Sequence, residues 1–205
     1  ESSLKDDKDE HIDWNYSGKT NLLFGTGANA SERMIVWASS FVVPLFFLYA
    51  YFFKELQLTP LQLVIGLFVA VDIGGGMVAN SLNSCKRFYH SLNKSESKIE
   101  RMYKNHFLFS CLHIHPIIIW LVFDPSNWEN GLIWYGLFIT AVLFVLKAPL
   151  YLKRPISMLM ILLAIMINEY ALYAIPGFEW LMPVLFIKII YGHLVKEEPY
   201  RPIKG

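Results

Sequence analysis

Charged residues are scarce in this chain, and that scarcity excludes a soluble protein. They make up 17% of the 205 residues, against 55% hydrophobic residues, and the mean hydropathy is +0.38. A soluble domain spreads charge over its surface, whereas here the charges cluster between long apolar runs, as expected when lipid is the solvent. We therefore expect an integral membrane protein whose partners include membrane lipid, with no nucleic-acid partner.

Cysteine is also scarce, which excludes most thiol chemistry. The chain has two cysteines, and neither belongs to a CxxC motif. Cys111 falls inside an apolar run, and Cys85 closes another beside Lys86. Both are expected to be buried hydrophobic residues rather than a disulfide, a redox pair or part of a cysteine-rich zinc site.

Six apolar segments reach or approach the roughly 20 residues that a helix needs to cross a bilayer. They are 33–53, 58–82, 105–123, 131–147, 155–175 and 179–195. The fourth and sixth are short and require tilt or local thinning of the bilayer. The sequence thus predicts an all-α, six-helix transmembrane domain over 33–195. An interfacial or cytoplasmic segment (1–32) precedes it and a cytoplasmic tail (196–205) follows.

The loops predict the orientation, because Lys and Arg favour the cytoplasmic side. The 83–104 loop has six of them, the 147–154 loop three and the tail three. The opposite loops contain one basic residue, Lys54, beside the acids Glu55, Asp124, Glu129 and Glu179. A multi-pass protein with both termini in the cytoplasm is therefore expected.

Two further features concern the membrane surface and the prolines. Residues 88–103 place apolar side chains near helical spacing among basic ones, which predicts an amphipathic cytoplasmic loop lying on anionic lipid. Prolines are expected to open helices at positions 60 and 155, and to kink them at 44, 116 and 183.

Ionisable residues inside the spans are the best candidates for function, because each is costly in lipid. Asp72 and His113 both lie roughly 15 Å from the cytoplasmic boundary at 1.5 Å of rise per residue, so they are expected to meet. His115 is half a turn from the face of His113 and is expected only to bond a carbonyl freed by Pro116. Asp72, His113 and Asn80 are the candidate catalytic residues.

A shallower group of histidines predicts a metal site at the cytoplasmic mouth. His106 and His193 are predicted to lie near the cytoplasmic boundary of the membrane. His90, in the basic 83–104 loop, is expected to lie close to them. Glu197 follows His193 by four residues and would share its face if the helix continues. Three imidazoles and a carboxylate suit Zn²⁺, or Fe²⁺ with open positions. For His90 and His193, simple interfacial hydrogen bonding is an equally weighted alternative.

The second predicted span, 58–82, contains three consecutive glycines, Gly74–Gly76. They have two alternative explanations: close packing against another helix, or local unwinding of the helix around a site. Packing is favoured. A polar groove is expected to run from Asp72 along this helix to Lys86 and Arg87, which are candidates for binding a substrate head group.

Lys188 and Glu169 are the remaining charged residues in the interior of the predicted spans. Snorkelling to the nearby boundary is the simplest explanation for Lys188. The alternatives are an ion pair with Asp72 or Glu169, a Schiff base with a chromophore, or a coupling role in which Glu169 belongs to an ion path.

Three functions from different classes remain open. The first is a metal-dependent intramembrane hydrolase or transferase, acting on a lipid or other amphiphile from the cytoplasmic leaflet. The second is a proton- or ion-coupled transporter or channel using Asp72, Glu169 and Lys188. No internal repeat is visible, although a homodimer would supply more helices. The third is a haem- or chromophore-binding electron carrier or sensor, for which His106 and His193 are the haem-ligand candidates.

Overall fold

The structure is a computed structural model that describes residues 10–54, 56–91 and 96–202. In chain order its helices are α1 (Ala30–Phe53), α2 (Pro60–Ser81), α3 (Asn83–His90), α4 (Lys98–Lys104), α5 (His106–Cys111), α6 (His115–Phe123), α7 (Glu129–Lys147), α8 (Leu150–Tyr170) and α9 (Leu181–Phe186). A 3₁₀ turn covers Pro125–Asn127, and a π-helical segment, Ile187–His193, continues α9.

Five helical units are long and apolar enough to cross a bilayer, which indicates a multi-pass membrane protein. They are α1, α2, the α5–α6 unit, α7 and α8, while α9 with the π segment forms a shorter apolar helix. Large apolar side chains stay exposed on the outer faces, including Phe46, Phe52 and Leu159. In water such a surface would be unstable, but in lipid it is expected. The prediction of a helical membrane protein is confirmed.

Side-chain caps define where the long helices begin. Asn29 and Glu32 form a capping box at the start of α1, and Thr59 and Gln62 form one at the start of α2. Each box satisfies backbone N–H groups that have no partner inside the helix. Glu32 also accepts a hydrogen bond from the backbone N–H of Ser84 at 3.1 Å, which joins α1 to α3.

Short strands bring the two ends of the described chain together. Strand β1 (Glu10–Ile12) pairs antiparallel with β4 (Tyr200–Pro202), and β2 (Thr20–Asn21) pairs with β3 (Gly25–Thr26) in a hairpin. The hairpin packs tightly on the start of α3. Gly25 has φ +74°, and a Cβ there would lie 2.2 Å from the carbonyl oxygen of Ser84, so both conformation and space favour glycine.

The core is centred on the last helix, which packs on α2, α7 and α8. Leu181, Leu185 and Ile189 of that helix are fully buried and join Trp134 and Phe138 of α7 in one hydrophobic cluster. The shortest of the apolar helical units is thus packed inside the bundle against the longer ones, whose outer faces are exposed.

The glycine run in α2 is continuous helix, so it serves close packing on α1. A Cβ at Gly74 would lie 2.7 Å from Val43 Cγ2, and one at Gly75 would lie 2.2 Å from Ser40 Oγ. Neither helix could approach so closely with a larger residue on α2. The alternative of local unwinding is not observed, because α2 runs unbroken from Pro60 to Ser81.

The third predicted span differs from expectation, because it is broken between α5 and α6. Residues 112–114 leave the helix, and Pro116 lies in the first turn of α6. Pro155 was expected to open a helix but lies inside α8, which begins at Leu150.

In the predicted amphipathic loop, α3 and α4 flank residues 92–95. Residues 92–95, which include Lys94, lie outside the described part of the chain. Glu55 and Lys204, which were counted among the loop charges, also lie outside it.

Two buried basic residues on α3 hold together the end of the fold at which β1 and β4 meet. Lys86 Nζ donates to the carbonyl oxygens of Gly192 at 2.6 Å and Val195 at 2.9 Å. It also lies 3.5 Å from Glu197 Oε2. The Gly192 carbonyl lies in the last turn of the last helix and the Val195 carbonyl just beyond it, so Lys86 acts as a C-cap from α3. Burial lowers the pKa of Lys86 to about 8, although Glu197 opposes that shift.

Arg87 ties strands β3 and β4 to α3. Its Nε donates to the carbonyl of Thr26 and its Nη1 to that of Tyr200, both at 3.3 Å. Lys86 and Arg87 are each 1% exposed. Their contacts favour a structural role over the head-group binding that the sequence suggested, because backbone carbonyls already occupy their donors.

Replacing Lys86 tests this anchoring role. We expect Lys86→Met to lower the free energy of unfolding by about 2–4 kcal/mol, because it leaves two buried carbonyls without their donor and removes the cation beside Glu197. Lys147→Met is the matched control, since Lys147 is exposed at the end of α7. The measurement is thermal unfolding of both variants in detergent, and equal Tm values for the two would contradict the anchoring role.

Candidate functional site

An ion pair between α2 and the last helix forms the centre of the candidate site. Lys188 Nζ lies 2.9 Å from Asp72 Oδ2 and also donates to the Asp72 main-chain oxygen at 3.1 Å. Lys188 is 3% exposed. Of the two ion-pair partners considered from sequence, the structure gives Asp72. The lysine does not snorkel to the boundary.

Gly76 makes this pairing possible, because Lys188 lies directly against α2 one turn beyond Asp72. A Cβ on Gly76 would lie 2.4 Å from Lys188 Cε and 2.7 Å from its Nζ. Any larger residue would therefore occupy the space of the lysine side chain.

His115 is the second partner of Asp72, and sequence reasoning missed it. Its Nε2 lies 3.1 Å from Asp72 Oδ2. The expectation that His115 points away was wrong, because it assumed one continuous helix with 100° of rotation per residue. The break before His115 changes that rotation. Pro116 was the available signal, since the residue before a proline disfavours helix.

His113 faces the same cavity but does not bond Asp72. Its Nδ1 lies 2.9 Å from the carbonyl oxygen of Phe109. Because a carbonyl only accepts, Nδ1 must hold the proton, and Nε2 then presents a lone pair. No described residue hydrogen-bonds to that Nε2. The predicted Asp72–His113 pair is thus replaced by Asp72 with Lys188 and His115, with His113 as a separate acceptor nearby.

Asn80 connects the three elements around the cavity. Its Nδ2 donates to the carbonyl of Lys188 at 3.1 Å, and its Oδ1 accepts from the hydroxyl of Tyr89 at 2.9 Å. Both ends of the amide are engaged by protein, so the contacts indicate a positioning role for Asn80 rather than a catalytic one. Tyr89, on α3, gave no signal in the sequence.

These groups line a cavity of about 400 Å³. Its polar wall consists of Asp72, Asn80, Tyr89, His113, His115 and Lys188. The remaining lining is mainly apolar and comes from α2, α4, α5 and the hairpin: Leu22, Leu23, Phe68, Gly76, Ala79, Met102, Tyr103, Phe109 and Leu112. Phe68 is 71% and Leu112 50% exposed, so the cavity opens on the outer surface of the bundle.

The predicted histidine layer is present as a cluster of adjacent rings. His106 Nδ1 lies 3.0 Å from His193 Nε2, and the rings of His90 and His106 have centroids 4.8 Å apart. Phe109 stacks on His193 at 4.2 Å. His90 Nε2 and His193 Nδ1 are buried without a hydrogen-bond partner in the described part of the chain. Burial, reinforced by His106, lowers the pKa of His90 well below its usual range.

The arrangement of the described side chains gives no support to the metal site expected from the sequence. Within residues 10–54, 56–91 and 96–202, no group of three or more His, Cys, Asp or Glu side chains is arranged to hold a metal ion. The helix ends at His193, so Glu197 does not continue on its face. Glu197 instead accepts from the Tyr191 hydroxyl and pairs with Lys86.

The remaining predictions concern haem and Glu169. A haem held by two histidines lies between them, with one ring nitrogen on each of its faces. His106 Nδ1 and His193 Nε2 instead contact each other, so these two nitrogens do not present that arrangement. Glu169 is exposed one residue before the end of α8, away from the basic loops, whereas Lys188 pairs with Asp72. The structure therefore does not bring Glu169 into the cavity.

Replacing Gly76 tests the geometry of the ion pair. We expect Gly76→Ala to lower the free energy of unfolding by about 1–3 kcal/mol, because the new methyl group displaces a pinned lysine. Gly136→Ala on α7 is the matched control, since a Cβ there meets no atom within 4 Å. It should leave the Tm unchanged or raise it. If Gly76→Ala were as stable as Gly136→Ala, the placement of Lys188 would be wrong.

No protein-family model, curated protein or solved structure matches this chain. A functional assignment must therefore come from the chemistry of the site, because a helical membrane fold is compatible with many functions.

Proposed function

We propose that the chain crosses the bilayer six times, with both ends on the cytoplasmic side. The pairing of β1 with β4 supports an even number of crossings, because it brings the two ends together. The sixth crossing would be α9 with the π segment, six and seven residues long. Such a helix spans roughly 20 Å, so the bilayer must thin beside it. The excess of Lys and Arg in the loops on that side supports the orientation.

We further propose that the protein is an intramembrane enzyme acting on an amphiphile, a hydrolase or transferase. One observation supports this most: a cavity with an apolar rim opens sideways from the bundle and has His113 and the Asp72–Lys188 pair on its inner wall. In a membrane, the rim residues Phe68 and Leu112 would face acyl chains. A lipid-like molecule could then insert its polar end without leaving the bilayer.

The chemistry would be general base catalysis by His113. Its Nε2 lone pair would remove a proton from water or from a substrate hydroxyl, whose oxygen then forms a bond to an acyl carbonyl carbon. The bond to the leaving group breaks, and the proton on His113 passes to that group. Lys188 and His115 would hold the Asp72 carboxylate in place, leaving its second oxygen, Oδ1, to orient the substrate. No metal is assigned a step.

The test is conversion of lipids by purified protein in nanodiscs. A total membrane lipid extract is incubated with wild type and with His113→Gln, and its components are followed by mass spectrometry. We expect the wild type to deplete at least one amphiphile with formation of a product, and His113→Gln to slow this by about 10²–10⁴-fold, as for a lost general base. His11→Gln, at an exposed histidine on β1, is the matched control.

Two results would contradict this proposal. One is a wild-type protein that changes no component of the extract, and the other is equal conversion by His113→Gln.

The second candidate, proton-coupled transport, is favoured by the buried Asp72–Lys188 pair, since such pairs mark proton and ion paths in membranes. It would replace the enzyme if proteoliposomes showed proton flux that Asp72→Asn abolishes, with no chemical change in the lipids.

A further inference from the structure

Two of the polar groups that line the cavity present hydrogen-bond acceptors. Asp72 Oδ2 takes both Lys188 and His115, whereas Oδ1 receives no hydrogen bond from a described residue, and the Asp72 side chain is 41% exposed. His113 adds Nε2, whose lone pair is free because Nδ1 donates to the Phe109 carbonyl. A molecule entering the cavity thus meets two acceptors.

Lys188, the cation of the site, is not accessible to a molecule that enters the cavity. Lys188 is 3% exposed, and its ammonium is engaged by two oxygens of Asp72. An anionic head group would have to displace Asp72 to reach it, and would approach the free carboxylate oxygen while doing so. Two anions in one low-dielectric site repel strongly. The cavity is therefore poorly suited to a phosphate or carboxylate head group.

A cationic head group gains little in this site. The Lys188 ammonium, 2.9 Å from Asp72, already compensates the carboxylate, so a second cation would bring an uncompensated charge out of water. A neutral group that donates hydrogen bonds meets neither penalty. It also satisfies Asp72 Oδ1 and His113 Nε2, which would otherwise be left unpaired once the ligand excludes water.

We propose that the cavity binds an uncharged amphiphile whose head group donates at least two hydrogen bonds, such as a pair of hydroxyls or a hydroxyl and an amide N–H. This inference rests on the amphiphile site of the proposed function and adds the chemical class of its ligand. One donor pairs with Asp72 Oδ1. The other donor, a hydroxyl of the ligand, pairs with His113 Nε2. This is the hydroxyl that general base catalysis would activate.

The experiment compares three probes with the same acyl or alkyl tail in nanodiscs: 1-oleoylglycerol, 1-oleoyl lysophosphatidate and oleylamine. Saturable binding of each radiolabelled probe is measured on wild-type protein. We expect 1-oleoylglycerol to bind at least tenfold more tightly than either charged probe. His113→Phe, which keeps a ring but removes the acceptor, should weaken 1-oleoylglycerol binding about tenfold, as for one lost buried hydrogen bond. His11→Gln should leave it unchanged.

The outcomes separate the ligand class from the site itself. Tighter, His113-dependent binding of lysophosphatidate or oleylamine would overturn the neutral-donor class while leaving an amphiphile site in place. Binding of no probe in a saturable manner would overturn both this inference and the amphiphile site. Saturable 1-oleoylglycerol binding that His113→Phe does not alter, with the variant as thermally stable as wild type, would overturn the assigned contact. The wild-type ranking of the three probes does not depend on any variant folding.

Discussion

A lysine enclosed within a membrane bundle requires an anionic partner, and this constraint organises the centre of the protein. Lys188 cannot reach water, so it pairs with Asp72 on the neighbouring helix at 2.9 Å. That pairing requires α2 to have no side chain at Gly76, and it positions the carboxylate that His115 also contacts. The last helix thereby locks to α2 through charge as well as through apolar packing. The same contact leaves one carboxylate oxygen facing the cavity, so the requirement for stability also creates the proposed binding surface.

The end of the bundle that carries α3 and the terminal strands has a related problem, which different residues solve. A helix that stops beside protein leaves carbonyl groups without partners, and Lys86 supplies their donor from α3. Arg87 does the same for the backbone of the hairpin and β4. These basic residues are enriched on one side for membrane orientation, yet the fold uses two of them internally. Charge at a membrane surface therefore does not by itself indicate a head-group site, and the deeper, less charged cavity is the better candidate.

Much of the architecture follows from the sequence, because hydropathy directly reports the solvent of each segment. Six long apolar runs were predicted as spans, and five of them correspond to helical units of membrane length while the sixth corresponds to a shorter apolar helix. The cost of burying charge singled out Asp72, and it gave an ion pair with Asp72 as one alternative for Lys188. What sequence could not supply was rotation about a helix after a break. The three residues before His115 leave the α-helix, so a histidine assigned to the wrong face became the partner of Asp72. The metal hypothesis failed to gain support for a similar reason, since it required a helix to continue past His193 to Glu197. Local breaks depend on tertiary contacts that no periodicity encodes.

The most direct test of the central claim is a double-mutant cycle on Asp72 and Lys188, measured as the free energy of unfolding in detergent. If the two form an ion pair, Asp72→Asn should destabilise the protein by about 3–5 kcal/mol, because it leaves the buried Lys188 uncompensated. Lys188→Met should cost less, about 1–3 kcal/mol, because Asp72 is partly exposed and keeps His115. The double variant should then be less destabilised than the sum of the two by at least about 2 kcal/mol, because neither charge remains. Additive effects would contradict the ion pair, and with it the geometry from which the cavity, its acceptors and the proposed ligand class were derived.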